Sequence, residues 1–213
     1  MKKGRRHTRA TPKNHYYDGW FYRKFIDPNL QEIREIIASL LPEACSAIDI
    51  GCGTGALLFS LTPKCRRLVG VELSPKMVEF ARREKEEKGL NNVDCFLGDA
   101  TRLAQFGDKE FDAAFTSMVL HEMPASLRPE VLLEMKRVAR RVIVADYAIP
   151  QPKNRSGYFT FPVEFVAGPS HFRGFLSFYK AGGLPGLLNR LNLTIEKSRL
   201  NRAGTIQVVQ IKD

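Results

Sequence analysis

From residue 45 onward the chain alternates short apolar runs with amphipathic stretches, and this alternation limits its fold more than any other feature. The runs "CSAIDI", "RLVGVEL", "NVDCFLGDA", "FDAAFTSMVL" and "RVIVADYAI" read as buried strands. Between them, "GALLFSL" reads as a short helix and "SPKMVEFARREKEEKG" as a longer one, capped by Ser74, begun by Pro75 and stopped by Gly89. Leu132, Met135 and Val138 stripe the helix before the fifth strand. Apolar strands separated by helices are parallel, joined by crossovers and covered on both faces. The chain closes with "LTIEKSRL" and "TIQVVQIK" around "NRAG", a hairpin of two strands. The expectation is an α/β protein with a doubly wound, mostly parallel seven-stranded sheet, a C-terminal antiparallel hairpin and helices on both faces.

The 213 residues, 44% hydrophobic and 26% charged, are those of a soluble globular protein with one domain, expected over residues 16–213. Ahead of the first strand, "DPNLQEIREIIASLLP" predicts a helix with Asp27 as N-cap, Pro28 in its first turn, and Ile33, Ile36, Ile37 and Leu40 on its buried face. The longest apolar stretches fall short of the roughly 18 residues of a bilayer span. Residues 1–15 carry six Lys/Arg and no acid, leaving 27 bases against 23 acids in the rest, so most of the formal charge of +10 is a flexible basic tail. Such a tail could track the phosphates of a nucleic acid, although a solvated arm explains it as well. It lacks the apolar region of a secretory signal, and a cytoplasmic chain is expected. Cys45, Cys52, Cys65 and Cys95 form no C-x-x-C pair and read as reduced core residues.

The first strand ends in "AIDIGCGTGALL", with three glycines in five positions at the place where a doubly wound sheet binds ligands. Gly51, Gly53 and Ala56 satisfy G-x-G-x-x-A, and Glu72, at the end of the second strand, can hold a ribose diol. Asp49 separates the candidates, because a carboxylate there repels a pyrophosphate and attracts a cation. S-adenosylmethionine carries an ammonium and a sulfonium, has no phosphate, and presents a ribose diol. Asp49 could alternatively bond only the loop amides.

These residues bring the chain close to a known family: from about Ala47 to Asp146 it resembles the class I S-adenosylmethionine-dependent methyltransferases, and in particular the small-molecule type typified by quinone biosynthesis. The resemblance implies a Rossmann-like fold and S-adenosylmethionine as cofactor. "DIGCGTG" looks like the first motif, with Asp49, Gly51, Cys52, Gly53 and Gly55 around the methionine portion. "VGVELS" looks like the second, Glu72 on the ribose and Leu73 over the adenine, where a core leucine is the other reading. "LGDAT" is similar to the third, with Asp99 accepting from the adenine amino group and Ala100 beside it; Asp99 could equally cap "ATRLAQF". "FDAAFTSMVLHEM" resembles the fourth, with Thr116, Ser117 and Met118 on the methyl-donor side.

On the acceptor side, His121 in "VLHEMP" is the leading catalytic candidate, as base or acceptor contact, against a satisfied loop histidine. His171 is the second histidine candidate, and Tyr17, beside Tyr16 in the aromatic lead-in, belongs to a segment that in similar enzymes folds over the donor. The chain has "FTSM" where amino-nucleobase enzymes carry Asn/Asp-Pro-Pro-aromatic, no Pro-Cys nucleophile, and no aspartate ending the fourth strand, so no metal is implied. A small-molecule acceptor is expected. Residues 150–180 break the alternation with prolines, glycines and the rings Tyr158, Phe159, Phe161, Phe165, Phe172, Phe175 and Phe178, and read as an irregular substrate cap or a homo-oligomer contact.

Overall fold

A computed structural model describes residues 30–212. Helix α1 (Gln31–Leu40) buries Ile33, Ile37 and Leu40 one turn apart, as its spacing predicts. Asp27 and Pro28, the basic segment 1–15 and Tyr17 lie outside the described residues. Strand β1 (Cys45–Ile50) is buried at every position. A five-residue helix α2 (Ala56–Ser60) leads to β2 (Cys65–Glu72). Helix α3 (Pro75–Glu87) follows, with the Ser74 hydroxyl accepting from Met77 N and Gly89 leaving the helix at φ +62°.

Strand β3 (Val93–Leu97) and β4 (Phe111–Ser117) come next, then a 3-10 turn at Leu120–Glu122 that we call the crest. Helix α4 (Leu127–Val138) runs directly into β5 (Ala139–Tyr147). After β5 come α5 (Arg155–Val166), α6 (Pro169–Lys180) and α7 (Gly183–Arg190), then β6 (Ile195–Leu200) and β7 (Ile206–Ile211).

The sheet runs β3-β2-β1-β4-β5-β7-β6, parallel through β5, with β7 antiparallel to both β5 and β6. The seven-stranded, mostly parallel sheet with a closing hairpin is therefore as expected. Its strand order reverses between β1 and β4, and that switch point opens a crevice at the carboxyl ends of the strands. Ile48, Ile50, Val69, Phe111, Phe115 and Val144 fill the two faces of the central strands. Each contributes roughly 1.5–3 kcal/mol by burial.

Segment 150–180 is not irregular. It forms two helices, and the polar residues of α5 conceal the first one from a periodicity reading: Thr160 and Glu164 face inward while Phe159, Val163 and Phe165 face outward. Pro162 interrupts the ladder as well. Helix α6 is conventional, burying Gly174, Phe175 and Phe178 at a three-to-four-residue spacing. No helix among the described residues is long and apolar enough to cross a membrane.

Candidate active site

The glycine loop is tied to the neighbouring strand. Gly51 N and Cys52 N both donate to Val71 O, at 2.8 and 3.2 Å. Glu72 bridges loop and helix: its Oε2 accepts from Gly53 N at 3.1 Å and its Oε1 from Ser74 N at 2.9 Å. Two glycines do different work here. Gly51, at φ +77°, has no room for a side chain, since a Cβ would stand 2.7 Å from Val119 Cγ2. Gly53, at φ +54°, meets nothing within 4 Å, so its bare face is turned to open space in the crevice.

Asp49 lies beneath this loop and is 2% exposed. Burial, and then the nearby Cys95 and Glu72, push its carboxyl well above the usual range. No donor among the described residues offsets that penalty. Cys52 packs its sulfur where Gly70 of β2 leaves space, a Cβ there falling 2.6 Å from Sγ. Contact with Cys95 and burial push the Cys52 thiol up, which keeps it protonated and suits the filler role rather than a nucleophile.

Around the crevice the remaining motif residues divide. Leu73 is 47% exposed, which excludes a core leucine and leaves an apolar surface beside Glu72. Asp99 is exposed and starts a turn, not a helix, accepting from Thr101 N at 2.9 Å and Thr101 Oγ1 at 2.8 Å; Ala100 packs half-buried beside it. Thr116 is fully buried and donates to Ile50 O at 2.7 Å, so its hydroxyl holds the ends of β1 and β4 together. Ser117 and Met118 are half-buried, and Met118 turns the chain at φ +59° with its N–H on Ala145 O.

The crest carries a buried polar cluster. Asp146, at the end of β5, accepts from His121 N at 3.1 Å and Tyr147 N at 2.7 Å, and its Oδ1 stands 2.8 Å from His121 Nδ1. Tyr147 donates to Glu164 Oε1 at 2.6 Å, from β5 to α5. Glu164 Oε2 is 2.6 Å from His171 Nε2 of α6 and 3.7 Å from His121 Nε2. His171 Nδ1 is 3.8 Å from Glu122 Oε2. Burial opposes charge on His121, yet Asp146, Glu164 and Glu122 together raise its pKa to about 9. Burial likewise opposes charge on Glu164, and His171, His121 and the Tyr147 hydroxyl hold it below its ordinary value. His121 is therefore neither a loop histidine in water nor a free base near neutrality.

Rings roof the cluster. Phe175 sits edge-on to both His121 and Tyr147, with Phe161 5.1 Å and Phe172 6.3 Å from it. A single guanidinium secures this roof. Arg128 of α4, 1% exposed, donates to Leu120 O, Met123 O and Gly174 O at 2.8 Å and to Ser177 Oγ at 2.7 Å. Gly174 lets α6 come that close, since a Cβ there would stand 2.6 Å from Glu122 O. Sequence reasoning found His121 and ranked His171 second, but it missed Arg128, Asp146, Tyr147 and Glu164. Among these, only the position of Asp146 at a strand end carried a readable signal.

Comparison with known proteins bears on the family and the fold. Residues 47–141 match the family described as "Methyltransferase domain". The chain is 30% identical over 126 residues to a human tRNA (uracil-5-)-methyltransferase homolog A, covering 58% of this chain and 19% of that protein. It is 32% identical over 127 residues to the aklanonic acid methyltransferase DauC of a Streptomyces species, covering 56% of this chain and 54% of that one. The chain thus spans about half or less of these relatives. In structure it is similar to a SAM-dependent methyltransferase from Aquifex aeolicus, with a TM-score of 0.67 and 19% identity over 92% of this chain and 98% of the other.

Proposed function

We propose that this chain, whose residues 47–141 match the methyltransferase domain family, uses S-adenosylmethionine to transfer a methyl group to a small-molecule acceptor on the crest side of the crevice. The donor fits the residues present. Its ammonium supplies the cation that buried Asp49 lacks, its methionine portion lies along the open face of Gly53, and Glu72 takes the ribose diol with lone pairs left over from Gly53 N and Ser74 N. Leu73 covers the adenine, and Asp99 accepts from its amino group with Ala100 alongside. Bound there, the donor supplies an electrophilic methyl carbon with a neutral thioether as leaving group.

The chain's own contribution is alignment and exclusion of water. Val119, wedged against Gly51, fixes the crest relative to the glycine loop, so the two halves of the crevice are held in one geometry. His121 and Glu164 form the polar part of the acceptor side, and Phe161, Phe172 and Phe175 the apolar part. Enclosure is the observation that carries the small-molecule reading: His121 is 2% exposed beneath the rings of α6, which suits an acceptor that can be surrounded. An acceptor that must lose a proton finds the His121 imidazole free to take it as pH approaches about 9.

The test is incubation of the full chain with donor labelled at its methyl group, together with a metabolite extract, total RNA and protein in parallel. Label in a low-mass product is the expected result. Label confined to RNA or to protein overturns the small-molecule reading.

A further inference from the structure

We propose that the crest cluster is a binding site for one divalent transition-metal ion, with His121, Glu122 and His171 as ligands. His121, Glu122 and His171 each present one ligand atom, and these atoms lie within 4.8 Å of one another. Glu164 Oε2 stands beside them, 2.6 Å from His171 Nε2 and 3.7 Å from His121 Nε2.

Ligand atoms around a tetrahedral zinc ion at about 2.0–2.1 Å stand roughly 3.3–3.5 Å apart. His171 Nδ1 and Glu122 Oε2, 3.8 Å apart, are close to that, and small side-chain rotations bring the three atoms, now within 4.8 Å of one another, onto one ion. Two imidazoles with carboxylate oxygens suit zinc, ferrous iron, manganese or cobalt, and argue against a soft, thiolate-seeking ion.

The surroundings are those of a metal-binding histidine. Asp146 Oδ1 stands 2.8 Å behind His121 Nδ1, which leaves Nε2 as the ring nitrogen facing the cluster. A carboxylate behind a histidine in this way fixes the ring and raises its basicity toward a metal. The ligands come from two separate elements, the crest and α6, so an ion there joins the cap to the end of the sheet. His121 is also the acceptor-side imidazole of the proposed function, so a bound ion and proton uptake by that ring exclude one another.

The experiment is titration of the full chain, stripped with a chelator and dialysed, with zinc chloride by calorimetry and with cobalt chloride by visible absorption. The expected result is one ion per chain and a cobalt spectrum of low-symmetry nitrogen and oxygen coordination. His171→Asn and Glu122→Gln should each lose at least about tenfold in affinity, and Asp146→Asn, behind the ligand, about 10- to 100-fold. A His7→Ala, His15→Ala double variant should bind as the parent does, which separates the crest from the N-terminal histidines. Melting curves of the metal-free variants distinguish a lost ligand from a lost fold, and the parent chain decides the matter without them. Absence of saturable one-to-one binding by the parent overturns the proposal, as does unchanged affinity in both His171→Asn and Glu122→Gln.

Discussion

Asp146 receives three hydrogen bonds at the end of β5, and the most consequential joins it to His121, whose Nδ1 stands 2.8 Å from Oδ1 in a site without water-exposed surface. Removing the carboxylate leaves two backbone amides and a buried imidazole without their partner. Asp146→Ala should cost on the order of 3–5 kcal/mol in denaturant unfolding, measured in chelator-treated protein. A loss below about 1 kcal/mol would contradict the arrangement.

The same pair sets a pH dependence of stability. The His121 pKa rises from about 6.5 in the unfolded chain to about 9 in the fold. The folded state therefore holds the proton more tightly, and its contribution is complete below pH 6.5 and lost as pH climbs through about 9. Unfolding of metal-free protein should weaken by on the order of 2–3 kcal/mol across that interval. His121→Gln should flatten the slope.

Asp49 should trade stability against affinity. Its carboxyl is held above the ordinary range, so at neutral pH the fold bears a penalty that an amide would lessen. Asp49→Asn is expected to raise the melting temperature while weakening donor binding about tenfold or more, both readable in one calorimetric series. Lower stability with unchanged affinity would remove Asp49 from the donor site.

Gly51 and Gly53 should separate fold from binding. Gly51→Ala drives a methyl into Val119 and should lower the melting temperature markedly. Gly53→Ala meets no neighbour, costs only the roughly 1–2 kcal/mol of its left-handed backbone, and should show its larger effect on the donor dissociation constant. Equal losses of affinity with no difference in stability would mean that the loop faces elsewhere.

Arg128→Lys should not rescue Arg128→Ala. One ammonium cannot reach Leu120 O, Met123 O, Gly174 O and Ser177 Oγ together, so both variants should loosen α6, seen as faster amide exchange along Pro169–Lys180.

How much of this was legible in the chain follows from what each signal depends on. The strands, the Ser74 cap and the final hairpin were readable because period and capping are local properties. Glu72 and the glycine loop were readable because short spacing fixes them together. Helix α5 was hidden, since Thr160 and Glu164 point inward for partners at Gln151, Tyr147 and His171 that no local pattern reveals. His171 and His121 are fifty residues apart and meet only because Gly174 lets two backbones close on one another.

The Arg128 anchorage has a consequence for descent. It grips α6 through two main-chain features, the carbonyl of Gly174 and the space that glycine leaves, plus the small Ser177 hydroxyl. The outward rings of the roof are under no such constraint. Lineages can therefore exchange those rings and alter which molecules are accommodated, while the clasp beneath stays as it is.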